Sequence, residues 1–88
     1  MFVSSNSSPE LVALGRRLRQ MRRARELSQE ALAAAAGVHP KHLSEIERAN
    51  KDPRATTVVR LADALGVTVA ELYEDEPPAD EAASVTRA

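Results

Sequence analysis

Between residues 39 and 54 the chain reads HPKHLSEIERANKDPR, and most side chains in that stretch donate or accept hydrogen bonds. Lys41, Arg48, Lys51 and Arg54 supply cations, His39 and His42 imidazoles, Ser44 a hydroxyl, and Glu45 and Glu47 carboxylates. Catalysis is one use for such a set, and the pattern argues against it. Ser44 has no base and carboxylate arranged around it in the manner of an activated nucleophile. Two isolated histidines in a chain without cysteine do not make a metal site. With no phosphate-binding loop either, the expectation is a protein that is not an enzyme and holds neither metal nor cofactor. The same residue types suit the recognition of a polyanion. Lys41 can reach guanine O6 and N7 or a phosphate, and Glu45 can accept from cytosine N4 or pair with Lys41 four residues back. His39 and His42 can each touch a base or phosphate, or serve as a cap or surface residue. Arg48, Lys51 and Arg54 are phosphate candidates.

Net charge at first contradicts that reading, because the whole chain of 88 residues carries a formal −1. The distribution resolves the conflict. Residues 10–72 hold eleven Lys and Arg against eight Asp and Glu, a net +3, and residues 73–88 hold one Arg against five acids, a net −4. A basic domain is followed by an acidic tail. Length allows one small domain, too small for a large enzyme cavity. No apolar run is long enough to span a membrane, and the N-terminus lacks the basic start of a secretory signal, so a soluble, cytoplasmic protein is expected. Aromatic residues are scarce, with one Phe, one Tyr and no Trp, which favours helices and disfavours an RNA-binding sheet with stacking rings.

These side chains need a scaffold, and the spacing of apolar residues predicts an all-α one. Ser8 and Pro9 open a first helix whose Leu11, Leu14, Leu18 and Met21 recur at intervals of three and four through about residue 25. Ser28 caps a second helix over 29–36, ended by Gly37. His39 precedes Pro40, which suits a first helical position and opens a third helix over about 40–49. A polar turn leads to a fourth helix over 55–65, with Gly66 after it. Thr68 and Glu71 form a capping box for a short fifth helix through Tyr73. Val67, Val69, Leu72 and Tyr73 are expected in the core. Residues 1–8 are expected to be a mobile arm, 9–73 the folded domain, and 74–88 a disordered acidic tail.

The second and third helices satisfy the constraints of a helix-turn-helix, in which two short helices cross at a tight turn. Counting from Gln29, the fifth residue is Ala33, small enough for close approach, and the ninth is Gly37, free to take the turn's positive φ. Leu32, Ala36, Val38, Leu43 and Ile46 supply the apolar positions. Two charges interrupt the inward faces: Glu47 follows Leu43 by four, and Arg22 follows Leu18 by four. An unpaired buried charge is very costly, so Arg22 and Glu47 are expected to form a structural ion pair joining the first helix to the third.

At these residues the chain resembles the Cro/repressor-type helix-turn-helix domains of the Xre family. Leu14-Gly15, Arg22, Leu27-Ser28-Gln29, Leu32-Ala33, Gly37-Val38, Ser44, Ile46-Glu47-Arg48, Pro53 and Leu65-Gly66-Val67 carry the resemblance in order. It implies a compact five-helix, lambda-repressor-like domain whose third helix enters the DNA major groove, often as a dimer on a palindrome. It also implies a bacterial or phage origin. Gln29 matches a position that contacts backbone phosphate. Ser44 matches a serine whose hydroxyl makes a contact or packs. Two departures stand out. The family usually has glycine where this chain has Ala49, so Asn50 is expected to take the left-handed turn. Pro40 stands where relatives often hydrogen-bond a base and can offer only apolar contact, for example to a thymine methyl.

The leading expectation is therefore a sequence-specific regulator of transcription that binds double-stranded DNA, as a homodimer, and associates with the nucleoid when bound. The alternative is an antitoxin-like or adaptor protein whose main role is to bind a protein partner. Arg16, Arg17, Arg19, Arg23 and Arg25 of the first helix read as a solvated face, most of them away from DNA.

Overall fold

The computed structural model describes residues 8–74, and across them it holds five helices and no strand. They are α1 (Pro9–Ala24), α2 (Gln29–Ala36), α3 (Pro40–Glu47), α4 (Ala55–Leu65) and α5 (Val69–Tyr73). Apart from Ser8 and Glu74, the expected arm and acidic tail lie outside the described residues.

Four of the five helices begin where a side chain satisfies a backbone N–H that has no partner within the helix; α4, entered through Arg54, has no such cap. Ser8 accepts from the Leu11 N–H at 3.2 Å, and Ser28 from the Ala31 N–H at 3.0 Å. Thr68 and Glu71 bond reciprocally, at 3.1 and 2.8 Å, so the capping box of α5 is complete. The ends share one device. After α1, α2, α3 and α4 a single residue takes a left-handed conformation: Glu26 (φ 56°), Gly37 (φ 72°), Ala49 (φ 61°) and Gly66 (φ 75°). In each case the next N–H reaches back five residues to a helical carbonyl: Leu27 to Arg22, Val38 to Ala33, Asn50 to Glu45 and Val67 to Ala62. This is the Schellman closure, and the apolar residue after the turn packs back on the helix in three of the four, as Leu27, Val38 and Val67 do.

Two expectations change here. α3 stops at Glu47 rather than running to residue 49, and Ala49 itself takes the left-handed turn assigned to Asn50. The closing bond runs from the Asn50 N–H to the Glu45 carbonyl, and the residue just before its donor must be left-handed; that place falls on Ala49, at the ~1–2 kcal/mol an L-residue with a Cβ gives up there.

The core is aliphatic. Leu14 and Leu18 of α1, Leu32 of α2, Leu43 and Ile46 of α3, Leu61 of α4 and Leu72 of α5 are all essentially inaccessible to water. α1 packs on α3 and α5, and α2 on α3 and α4, so α3 is held from both sides. One crossing is closer than side chains permit. A Cβ on Gly15 would lie 2.5 Å from the Glu47 carbonyl oxygen and 2.7 Å from that of Ile46. Only glycine lets α1 lie on the last turn of α3. Residues expected in the core at α5 divide: Leu72 is buried and Val67 packs against the core, whereas Val69 and Tyr73 are 38% and 41% exposed. A helix of five residues turns only one narrow face inward, and Leu72 occupies it.

Candidate nucleic-acid interface

α3 has two faces with different tasks. Leu43, Ile46 and Glu47 point into the domain, and Pro40, Lys41 and Arg48 are exposed, with His42, Ser44 and Glu45 half-buried beside them. Past its end, Lys51 and Arg54 are exposed as well. Lys41, Glu45 and Arg48 fall at intervals of four and three, which puts them on one stripe. No ion pair joins Lys41 to Glu45 among the described residues, so both heads are available to a partner outside the chain. His39 is exposed and acts as the N-cap of α3, its Nδ1 accepting the Lys41 N–H at 3.0 Å. That bond fixes which ring nitrogen remains, leaving Nε2 for an external contact. Pro40 takes the first helical position, where no N–H is needed.

The inward charge is met in full. Arg22 Nε donates to Glu47 Oε2 at 2.7 Å and Arg22 Nη2 to Glu47 Oε1 at 3.1 Å, a two-point fork. Arg22 Nη1 also donates to the Leu27 carbonyl at 2.9 Å, tying the loop after α1 into the same knot. The Glu47 side chain is wholly buried and that of Arg22 is 11% exposed. Hydrogen bonding to Glu47 raises the Arg22 pKa above its already high ordinary value, with burial acting in the opposite sense. The guanidinium is a permanent cation.

Gln29 has a role that spacing did not suggest. Its Nε2 donates to Glu47 Oε1 at 3.0 Å, so the first residue of α2 is bonded to the last residue of α3. Arg19 Nε lies 3.9 Å from that same oxygen. The arginines of α1 are likewise not one uniform solvated face. Arg17 Nε donates to the Glu71 carbonyl at 3.1 Å, and Arg25 Nη1 to that of Met21 at 3.0 Å. Among the described residues no cluster of His, Cys, Asp or Glu could hold a metal ion, and no helix is long and apolar enough to cross a membrane.

The sequence and the fold both have known counterparts. A family model described as a helix-turn-helix domain matches residues 13–74. The uncharacterized HTH-type transcriptional regulator y4dJ of Sinorhizobium fredii is 37% identical over 67 residues, which are 74% of this chain and 87% of that one. Among solved structures, the restriction-modification controller protein C.AhdI from Aeromonas hydrophila is similar with a TM-score of 0.72 and 35% identity, over 75% of this chain and all of that one. SinR, the master regulator for biofilm formation, solved in complex with DNA, is similar with a TM-score of 0.67 and 32% identity over 69% of this chain and 98% of that one.

Proposed function

The chain belongs to the helix-turn-helix family of DNA-binding transcriptional regulators, and from that premise we propose that it reads double-stranded DNA by laying α3 in the major groove. The observation that carries the proposal is the division of α3. Its inward charge is fully satisfied within the fold, while Lys41, Glu45 and Arg48 on the outward side are left without partners among the described residues. Lys41 donates to guanine or to phosphate, Glu45 accepts from cytosine, and Pro40 offers apolar contact to a thymine methyl. His39 through Nε2, His42 and Ser44 complete the reading face. Arg48, Lys51 and Arg54 hold phosphates. The Gln29 amide has two N–H groups; one goes to Glu47, and the other serves a phosphate at the start of α2.

The protein binds as a homodimer on a palindromic site, with half-sites about one helical turn apart. Val69 and Tyr73, exposed on α5, support self-association at that end of the domain. Such a regulator works in the cytoplasm, on the nucleoid. Selection from a random duplex library at near-physiological salt, followed by fluorescence anisotropy, tests the reading. A palindromic winner bound at least about a thousandfold more tightly than scrambled DNA is the expected result. Weak binding that is blind to sequence would refute it and turn attention to a protein partner.

A further inference from the structure

α1 and the end of α3 enclose an open cleft of about 340 Å³. Arg16, Arg19 and Gln20 line it from α1, Arg48 and Ala49 from the end of α3, and Val12 completes the wall. Three arginines therefore line one cleft. Glu47 also lines it, but its carboxylate is wholly buried and its charge is balanced by Arg22, which forks onto both oxygens. Arg19 stands 3.9 Å from that carboxylate, beyond hydrogen-bonding reach, and its side chain is 45% exposed. Arg16 and Arg48 are exposed and make no side-chain hydrogen bond or ion pair with the described residues.

Like charges around one cleft repel each other, and an anion seated among them adds attractions that offset that repulsion. Guanidinium forks match the oxygens of a phosphate in spacing and direction. The position of the cleft says which phosphate. Arg48 continues the outward stripe of α3, so the cleft opens beside the reading face. Glu47 Oε1 is reached by Gln29 Nε2 at 3.0 Å and approached by Arg19 Nε at 3.9 Å, which sets the cleft next to the N-terminus of α2. We infer that this cleft seats a further backbone phosphate of the bound DNA, gripped by Arg16 and Arg19 of α1 together with Arg48. The inference rests on the DNA-reading function proposed above and adds two residues that sequence alone assigns to a solvated face.

The test compares the double variant Arg16→Gln/Arg19→Gln with Arg23→Gln/Arg60→Gln, which removes the same charge from exposed positions outside the cleft. Affinity for the selected site and for scrambled duplex is measured by anisotropy over a salt series, with a thermal melt of each variant. The cleft variant is expected to melt like the parent and to bind both DNAs about tenfold more weakly, with its salt slope reduced by about 0.9 for one lost phosphate. The control variant should keep the parental slope. Parental slopes in both variants would overturn the inference while leaving the parent's specific binding, and so the proposed function, intact. A parent that binds no DNA would remove both. Titration of the parent with inorganic phosphate at constant ionic strength, followed through the arginine Nε–H resonances, separates a free anion from a DNA phosphate. Weak, non-saturating shifts are expected. Saturation at micromolar phosphate, with an unchanged DNA salt slope in the cleft variant, would make the cleft a small-anion site instead.

Discussion

Replacing Glu47 by alanine removes a wholly buried carboxylate and leaves Arg22, only 11% exposed, still charged. Its Nε and Nη2 lose their acceptors, and the Leu27 carbonyl at 2.9 Å becomes the remaining partner. Breaking one side of a buried pair in this way costs about 3–5 kcal/mol. For a domain of this size each kcal/mol moves the melting temperature by about 4–8 °C, so Glu47→Ala should melt at least about 12 °C below the parent. Since total stability is on the order of 5–15 kcal/mol, the variant stands close to the edge of folding. The double variant Arg22→Met/Glu47→Leu keeps the measurement informative. Both charges are gone, their volumes are largely filled, and half-exposed Gln29 can turn to water. Replacing a buried pair by apolar residues is often neutral, so the double variant should recover most of the loss, with a coupling energy of about 2 kcal/mol or more. Circular dichroism followed through heat and urea unfolding reads the parent, the single variants Arg22→Met and Glu47→Leu and their double as one cycle, with Glu47→Ala measured beside it. A Glu47→Ala melt within about 3 °C of the parent, or costs that simply add, would refute the claim that the two charges hold α1 to α3.

Two further predictions follow from close contacts. Gly15→Ala gains about 1 kcal/mol of helix propensity but drives a Cβ to 2.5 Å from a backbone oxygen that cannot rotate away, so a net loss of about 1–3 kcal/mol and a lower melt are expected. A melt equal to or above the parent's would show that α1 can shift without cost. Tyr73 is the sole tyrosine, so absorbance near 295 nm follows its ionisation alone. Burial first, and then the charge of Asp52, raise its pKa above 10.0. The folded state therefore holds the phenolic proton more tightly than the unfolded chain does. The stabilisation is present below pH 10 and is lost as pH rises through the raised value. Asp52→Asn should move the titration midpoint down, and an unmoved midpoint would place Asp52 too far from the ring to matter.

What was legible in the sequence was whatever depends on local spacing. Ser8, Ser28 and the Thr68–Glu71 box mark helix starts because a cap and its partner lie within three residues. The faces of α1 and α3 bring Arg22 and Glu47 to the same side of the core, because a charge at helical spacing among leucines has to meet its opposite. The ends of α1 and α3 were harder to read, since their left-handed turns fall on Glu26 and Ala49, which lack glycine's tolerance. The end of α1 does carry one local signal: Leu27 is an apolar residue placed to fold back on the helix, as Val38 and Val67 do after their glycines. Gly15 could have been read as a helix–helix contact, because a glycine inside an amphipathic helix costs stability unless something presses on it. No local pattern could give the Gln29 bond to Glu47 or the Arg17 bond to the Glu71 carbonyl, which join residues 18 and 54 positions apart. Those depend on how whole helices cross.

The two-sided construction of α3 has a consequence for how such a protein changes over generations. Everything that fixes the helix in place lies on one side: Leu43 and Ile46 in the core, Glu47 in its knot of donors, and Gly15 beneath the last turn. Lys41, Glu45 and Arg48 lie on the other, on side chains that the remainder of the described domain does not grip. Substitutions at Lys41, Glu45 or Arg48 are thus free to accumulate without being filtered by folding, and lineages with the same interior can drift toward different targets. Preference becomes the inexpensive variable of this architecture, and architecture the conserved quantity.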